Sequence, residues 1–265
     1  MQEYVNVDRK LHLLCQVLAK IAANLIEETE DYSHTNLGFD PIGRRIFTRW
    51  INSEKGDISL CVDLNRFSFQ WIDHGLRVKK EIPISGKTYG QLESELEFSA
   101  SEFGYGPELY KKPLKYEIED YPFKEAIYQS LPEDGLNDWI KFRSSANTAC
   151  EHLLEHLNAT AEIRIWPHHF DTGIYTVLSG KLGVGFGLAV QDSMVNAPYF
   201  YLSGYPLDGG LKMENLPKLK DGYWETGAWK GAVLPLNILY DQEDTYAVID
   251  NFILSSFSWY QQTIL

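Results

Sequence analysis

Long apolar runs are missing from this chain. No stretch approaches the ~18 uninterrupted apolar residues of a membrane span, and even the apolar C-terminus is broken by Asp250, Asn251 and three serines. Cysteine is scarce. Cys15, Cys61 and Cys150 are odd in number, widely scattered and form no Cys-x-x-Cys pair. That excludes a disulfide framework, and their apolar surroundings predict buried thiols in a reducing compartment. Basic residues are outnumbered, 24 against 37 acidic, for a net charge of −13. Such a field repels phosphate backbones and anionic bilayers, so neither nucleic acid nor a membrane is expected as a partner. Met1-Gln2-Glu3-Tyr4 shows no basic segment followed by an apolar one, so no signal peptide is evident and a cytoplasmic location is expected.

What is present is an ordinary globular composition with a surplus of rings. Aromatics make up 14% of the 265 residues, including 16 tyrosines and 7 tryptophans. They serve either a ring-rich core or a surface that grips a flat ligand. Leu14, Val17, Leu18, Ile21 and Leu25 recur at helical spacing and predict a helix over about 8–30, with Asp8 as N-cap. Strand signals follow at 45–51, 58–64, 67–72 and 76–84, the last two joined by the turn sequence Asp73-His74-Gly75. Thr88-Tyr89-Gly90-Gln91 is a capping box, opening a helix that carries Tyr89, Leu92, Leu96 and Phe103 to Gly104. Residues 105–136 are irregular, with Pro107, Pro113, Pro122 and Pro132. Tyr105, Tyr110, Tyr116, Tyr121 and Phe123 predict that this segment packs.

Asn137 is placed to cap a helix to Leu157 with the stripe Trp139, Phe142, Ala146, Ala149, Cys150, Leu153 and Leu157. Strands are predicted at 161–166, 173–178, 184–190, 199–205, 224–229 and 232–236. A last helix over 243–261 is predicted to bury Tyr246, Ile249, Phe252, Ile253, Phe257 and Tyr260. Consecutive strands with helices outside the run predict an α+β fold, antiparallel sheets with flanking helices. The chain is either one compact domain over 1–265 or two similar helix–meander–helix halves, 1–104 and 137–265, joined by 105–136.

The densest chemistry lies in Ile165-Trp166-Pro167-His168-His169-Phe170-Asp171. If the extended course of the preceding strand continued through it, His169 and Asp171 would share a face. Asp171 would then orient His169 as a general base. His168, His169 and Asp171 are also the candidate ligands for zinc or another divalent metal. A third in-line ligand is not evident, and the sequence requires no cofactor. Trp166, His168, Tyr199, Tyr201 and Trp229 are the candidate ligand-binding residues.

Other patterns have plainer explanations. His152-Leu153-Leu154-Glu155-His156 matches H-x-x-E-H, but helical geometry turns Glu155 away from the apolar stripe and predicts a solvated face. Asp171-Thr172-Gly173 has no second copy to make an aspartic-protease pair. Gly180, Gly183, Gly185 and Gly187 are followed by no Lys-Ser/Thr pair and open no helix. They predict a strand packed closely on backbone or on aromatic rings.

Several segments together resemble a bacterial protein family of unknown function. They are Leu11-His12-Leu13-Leu14-Cys15-Gln16, Phe69-Gln70-Trp71-Ile72-Asp73-His74-Gly75-Leu76, Phe170-Asp171, Pro198-Tyr199-Phe200-Tyr201 and Gly231-Ala232-Val233-Leu234-Pro235. The resemblance implies no activity. It departs at His168 and His169, where relatives often have glycine and serine, and at Gly185-Phe186, which lacks a Ser-His-Glu lead-in. Asp73, His74 and Asp171 fit it better. Two functions are therefore in view, the first preferred and the second its alternative. One is a small-molecule-binding protein, with hydrolase-type chemistry at His169 and Asp171 if it is an enzyme. The other is a non-catalytic interaction protein using an aromatic surface for a homodimer or another partner.

Overall fold

The structure is a computed structural model describing residues 1–106 and 111–264; Pro107 and Tyr110 of the irregular segment lie outside the described residues. The fold is α+β, with two antiparallel sheets. The chain divides into two compact units. One comprises Gln2–Ile140 with Ile165–Phe170. The other comprises residues 141–164 and 171–264.

The first unit is built on helix α1, Gln2–Leu25. Sixteen of its residues are buried, so α1 is a core helix rather than a surface one. It begins six residues before Asp8. Asp8 is therefore not a cap but a buried acceptor, taking the indole N–H of Trp139 at 2.7 Å. The five-stranded sheet runs β1 (Gly38–Asp40), β2 (Arg45–Phe47), β3 (Ile58–Asp63), β4 (Ser68–Asp73) and β5 (Val78–Pro83) in sequence order, the predicted meander. Strand β3 is buried along its whole length. The edge strand β5 is mostly exposed and carries Lys79, Lys80 and Glu81, charges that discourage pairing with another chain.

Helix α2 (Tyr89–Ala100) starts where the capping box predicts, with Thr88 and Gln91 satisfying each other's backbone N–H. It ends in a short 3-10 turn and Gly104 at φ 92°. The Trp71 indole donates to Ser99 Oγ at 2.8 Å, tying β4 to α2. The described part of 105–136 belongs to this unit and packs, with Tyr121 and Tyr128 buried.

Helix α3 (Glu133–Leu157) starts four residues earlier than Asn137 predicts. Glu133 and Asp134 occupy its first turn, where negative charge suits the helix dipole. Gly135 lets α1 and α3 approach closely in this first turn: a Cβ on it would meet the Glu3 carbonyl oxygen at 2.7 Å.

The six-stranded sheet comprises β6 (Arg164–Trp166), β7 (Asp171–Leu178), β8 (Leu182–Ala189), β9 (Tyr199–Pro206), β10 (Tyr223–Glu225) and β11 (Gly231–Pro235), in the order β10-β11-β9-β8-β7-β6. Strand β6 is half its predicted length, and β10 stops short of Trp229. A short helix α4 (Leu236–Leu239) and a long α5 (Thr245–Ile264) complete the chain. In α5, Ile249, Phe252, Ile253, Phe257 and Tyr260 are buried as the periodicity predicts. Tyr246 is not; it is 38% exposed, its hydroxyl against the His152 ring.

Pairing register sorts the second sheet into two unlike faces. Val184, Phe186, Leu188, Phe200 and Leu202 form a buried apolar face, onto which Tyr260 of α5 packs at Gly204. The opposite face has a floor of Gly173, Gly183, Gly185 and Gly187, over which tyrosine rings lie. A Cβ on Gly187 would meet Gly173 Cα at 2.8 Å, whereas one on Gly210 would meet nothing. Gly187→Ala should therefore lower the urea midpoint by a stability loss of about 1–3 kcal/mol, and Gly210→Ala should leave it unchanged.

Candidate functional site

The sequence places the site in one stretch. The structure splits that stretch into two clusters, one in each unit.

In the first unit, the chain turns sharply after Pro167. The amide of Phe170 bonds to Trp166 O at 2.6 Å and that of His169 to the same oxygen at 3.2 Å. Phe170 sits at φ 55°. This turn interrupts the extended course on which a His169–Asp171 pair depends. Helix α1 meets the turn directly. Pro167 O accepts from Gln16 Nε2 at 2.7 Å and from His12 Nε2 at 3.0 Å. A carbonyl only accepts, so His12 carries its proton on Nε2. Nδ1 then accepts from Tyr121 OH at 2.8 Å.

The His12 ring also stacks on Phe170 with centroids 5.1 Å apart. His12 is thus a buried brace with both nitrogens committed, not an available base. Tyr116 OH donates to Gln16 Oε1 at 3.1 Å, and its ring lies 5.4 Å from that of His168. His168 lies against His169, centroids 4.2 Å apart. His169 is exposed, and Trp166 is half-buried. Among the described residues, no three His, Cys, Asp or Glu side chains converge to hold a metal.

In the second unit, Asp171 opens β7 and is buried. Its Oδ2 accepts from Tyr201 OH at 2.5 Å, and its Oδ1 has no hydrogen-bond partner among the described residues. The partner of Asp171 is therefore a phenol and not an imidazole. Burial, and then the Asp171 charge beside it, push the Tyr201 hydroxyl well above the usual tyrosine range. Locked in its neutral form, it supplies a hydrogen bond and not a base.

The Tyr201 ring lies 6.5 Å from Tyr199 and 6.3 Å from Trp229. Tyr199 OH donates to Asp192 Oδ2 at 2.8 Å, while Asp192 Oδ1 accepts the amides of Met194 and Val195. Asp192 thereby folds its loop against Tyr199 and Val233. So Asp171, Tyr199, Tyr201 and Trp229 come together, whereas Trp166, His168 and His169 belong to the other cluster.

The remaining candidates resolve simply. His152, Glu155 and His156 are exposed, the solvated helix face that geometry predicts. Asp73 folds its hairpin turn: Oδ1 accepts the amides of Gly75 and Arg77, and Lys79 and then Arg77 hold the carboxyl well below the usual carboxylate range. All three cysteines are buried free thiols; burial pushes Cys61 up to about 12. No described helix is long and apolar enough to cross a membrane.

Sequence reasoning missed two residues that hold this region together. One is His12, whose only signal is a polar side chain four residues from Gln16 within the apolar run Leu11–Ala19. The other is Arg143, fully buried, donating to Thr172 Oγ1 at 2.9 Å. Comparison of the chain with models of known protein families, with curated proteins and with solved structures finds no match.

Two measurements follow. Tyr201→Phe leaves a buried carboxylate without its donor, and should cost about 3 kcal/mol of stability in urea unfolding. Buried tyrosines such as Tyr201 and Tyr260, the latter pushed up to about 12, keep their protons when the unfolded chain has begun to lose them. Their contribution is complete below the ordinary tyrosine pKa of about 10 and declines as pH rises beyond it. Phenolate absorbance should accordingly rise in two stages, the second coinciding with loss of the fold.

Proposed function

We propose that this chain is a non-catalytic interaction protein whose contact surface is the glycine-floored face of the six-stranded sheet, and that the occupant is a second copy of the chain. One observation carries the reading. Register aligns Gly173, Gly187, Tyr201, Val233 and Tyr223 in one row, Tyr175, Gly185 and Ser203 in the next, and Val177, Gly183 and Tyr205 beyond. Glycine inside a strand weakens it, so four on one face are costly as core. They do let phenol rings lie flat on the backbone: the Tyr205 ring would stand 3.3 Å from a Cβ on Gly185. Tyr175, Val177, Tyr205 and Tyr223 remain 47, 46, 42 and 41% exposed.

Rigid amphipathic rings give contact area at small entropic cost, and interface cores are poor in charge. Strands β7 to β11 carry no lysine or arginine, and their only carboxylates are the buried Asp171 and Glu225 at the margin. For a chain of net charge −13, two copies approach with least repulsion through such a face. A twofold contact of this kind is self-complementary.

The small-molecule reading centred on His169 and Asp171 has less support, because Asp171 is committed to Tyr201 and the turn at Phe170 breaks the shared face.

Sedimentation equilibrium tests the proposal. The expected result is a dimer that tightens as salt screens the net charge. Tyr175→Arg and Tyr205→Arg should each weaken it by at least about 2 kcal/mol, roughly thirtyfold in Kd, with unchanged circular dichroism. A wild-type chain that stays monomeric throughout, or a dimer indifferent to both substitutions, overturns it.

A further inference from the structure

The first unit holds a concavity that the sheet-face reading does not use. A cavity of about 490 Å³ opens between residues 55–58 before and at the start of β3, the turn at Asp73, His74 and Gly75 with Arg77 and Lys79 beyond it, and Glu102 and Phe103 after α2. Its charges are unevenly matched. Asp73 serves two cations, Arg77 and Lys79, each at 2.9 Å. Glu102 pairs with Lys80 at 2.6 Å, and Asp57 with His74 at 3.1 Å. Among the described residues Lys55 pairs with no carboxylate; its ammonium lies 6.0 Å from the centre of the Phe103 ring. The lining holds three cations (Lys55, Arg77, Lys79) and three carboxylates (Asp57, Asp73, Glu102); with Glu102 taken by Lys80 from outside the lining, Lys55 is the cation left over.

His74 is the polar group best prepared for a ligand. Asp57 can only accept, so the bond between them places the imidazole proton on Nε2. Trp50 packs on the ring at 4.0 Å, fixing its plane. Among the described residues Nδ1 has no protein partner, and in the neutral tautomer that the Asp57 bond favours it can accept a hydrogen bond from a P–OH group. The turn that carries His74 is rigid, since Asp73 ties down both Gly75 and Arg77.

We infer that this cleft binds a small phosphate-bearing molecule, with Lys55 and Lys79 facing its charge and His74 accepting from its protonated oxygen. Lys55 is the residue to remove, because its loss leaves no carboxylate unpaired and it lies in an exposed turn.

The experiment follows the His74 ring resonances during titration with inorganic phosphate, ionic strength held constant with chloride. It compares the wild-type chain, Lys55→Gln and, as a control outside the cleft lining, Lys218→Gln. The expected result is a saturable shift in the wild type that is about tenfold weaker, ~1.4 kcal/mol, in Lys55→Gln and unchanged in the control. Acetate should shift the same resonances more weakly, since it brings no P–OH. Failure to saturate, equal affinity in Lys55→Gln and wild type, or equal weakening by Lys218→Gln overturns the inference. Because the cleft shares no residue with the tyrosine face, the oligomeric state should not change on addition of phosphate.

Discussion

A single carbonyl oxygen, that of Pro167, fixes the region richest in chemical groups. It receives hydrogen bonds from His12 and Gln16, residues one helical turn apart on α1. Both donors are buried, so the bonds are shielded from water and removing either partner would strand a polar atom. The consequences spread outward from that oxygen. His12 is held in one tautomer, Tyr121 is drawn in from the irregular segment, and Phe170 is stacked beneath the imidazole. Phe170 in turn lies 6.2 Å from Trp139, whose indole N–H is taken by Asp8. A polar ladder along α1, of Asp8, His12 and Gln16, thus runs through the otherwise apolar buried side of the helix.

This arrangement explains both what was legible in the sequence and what was not. Features decided within a few residues could be read directly. The Thr88–Gln91 capping box, the β4–β5 hairpin at Asp73 and the solvated side of α3 at His152, Glu155 and His156 all depend on local spacing, and the structure has them. The glycines of β8 were also legible, because alternating glycine leaves no side chain to fill the space above the sheet and something flat must cover it.

The site was less legible, because its decisive contacts are remote. Whether His169 and Asp171 share a face depends on the backbone at Phe170, and the turn there is tied by Pro167 to residues about 150 positions earlier. Asp171 likewise finds its partner 30 residues on, across two strand pairings. Asp8 misled for a related reason. At a helix start it reads as a cap, yet its acceptor role serves a tryptophan 131 residues away. Polar residues within an apolar helix were the available signal, and they marked buried bonds rather than chemistry.

The alternation in β8, Leu-Gly-Val-Gly-Phe-Gly-Leu-Ala, has a consequence for how the sheet assembles. Strand pairs usually guard their alignment with one penalty, the exposure of apolar side chains when a strand slides by one position. Here sliding carries a second. It would thrust Val184, Phe186 and Leu188 into the space that the phenol rings occupy, and leave the inner layer with only hydrogen atoms to pack. The β7–β8 hairpin turns through Ser179 and Gly180, both at positive φ, so the correct alignment can be chosen from neighbouring residues alone. The strand therefore carries two independent checks on its alignment, one on each face of the sheet.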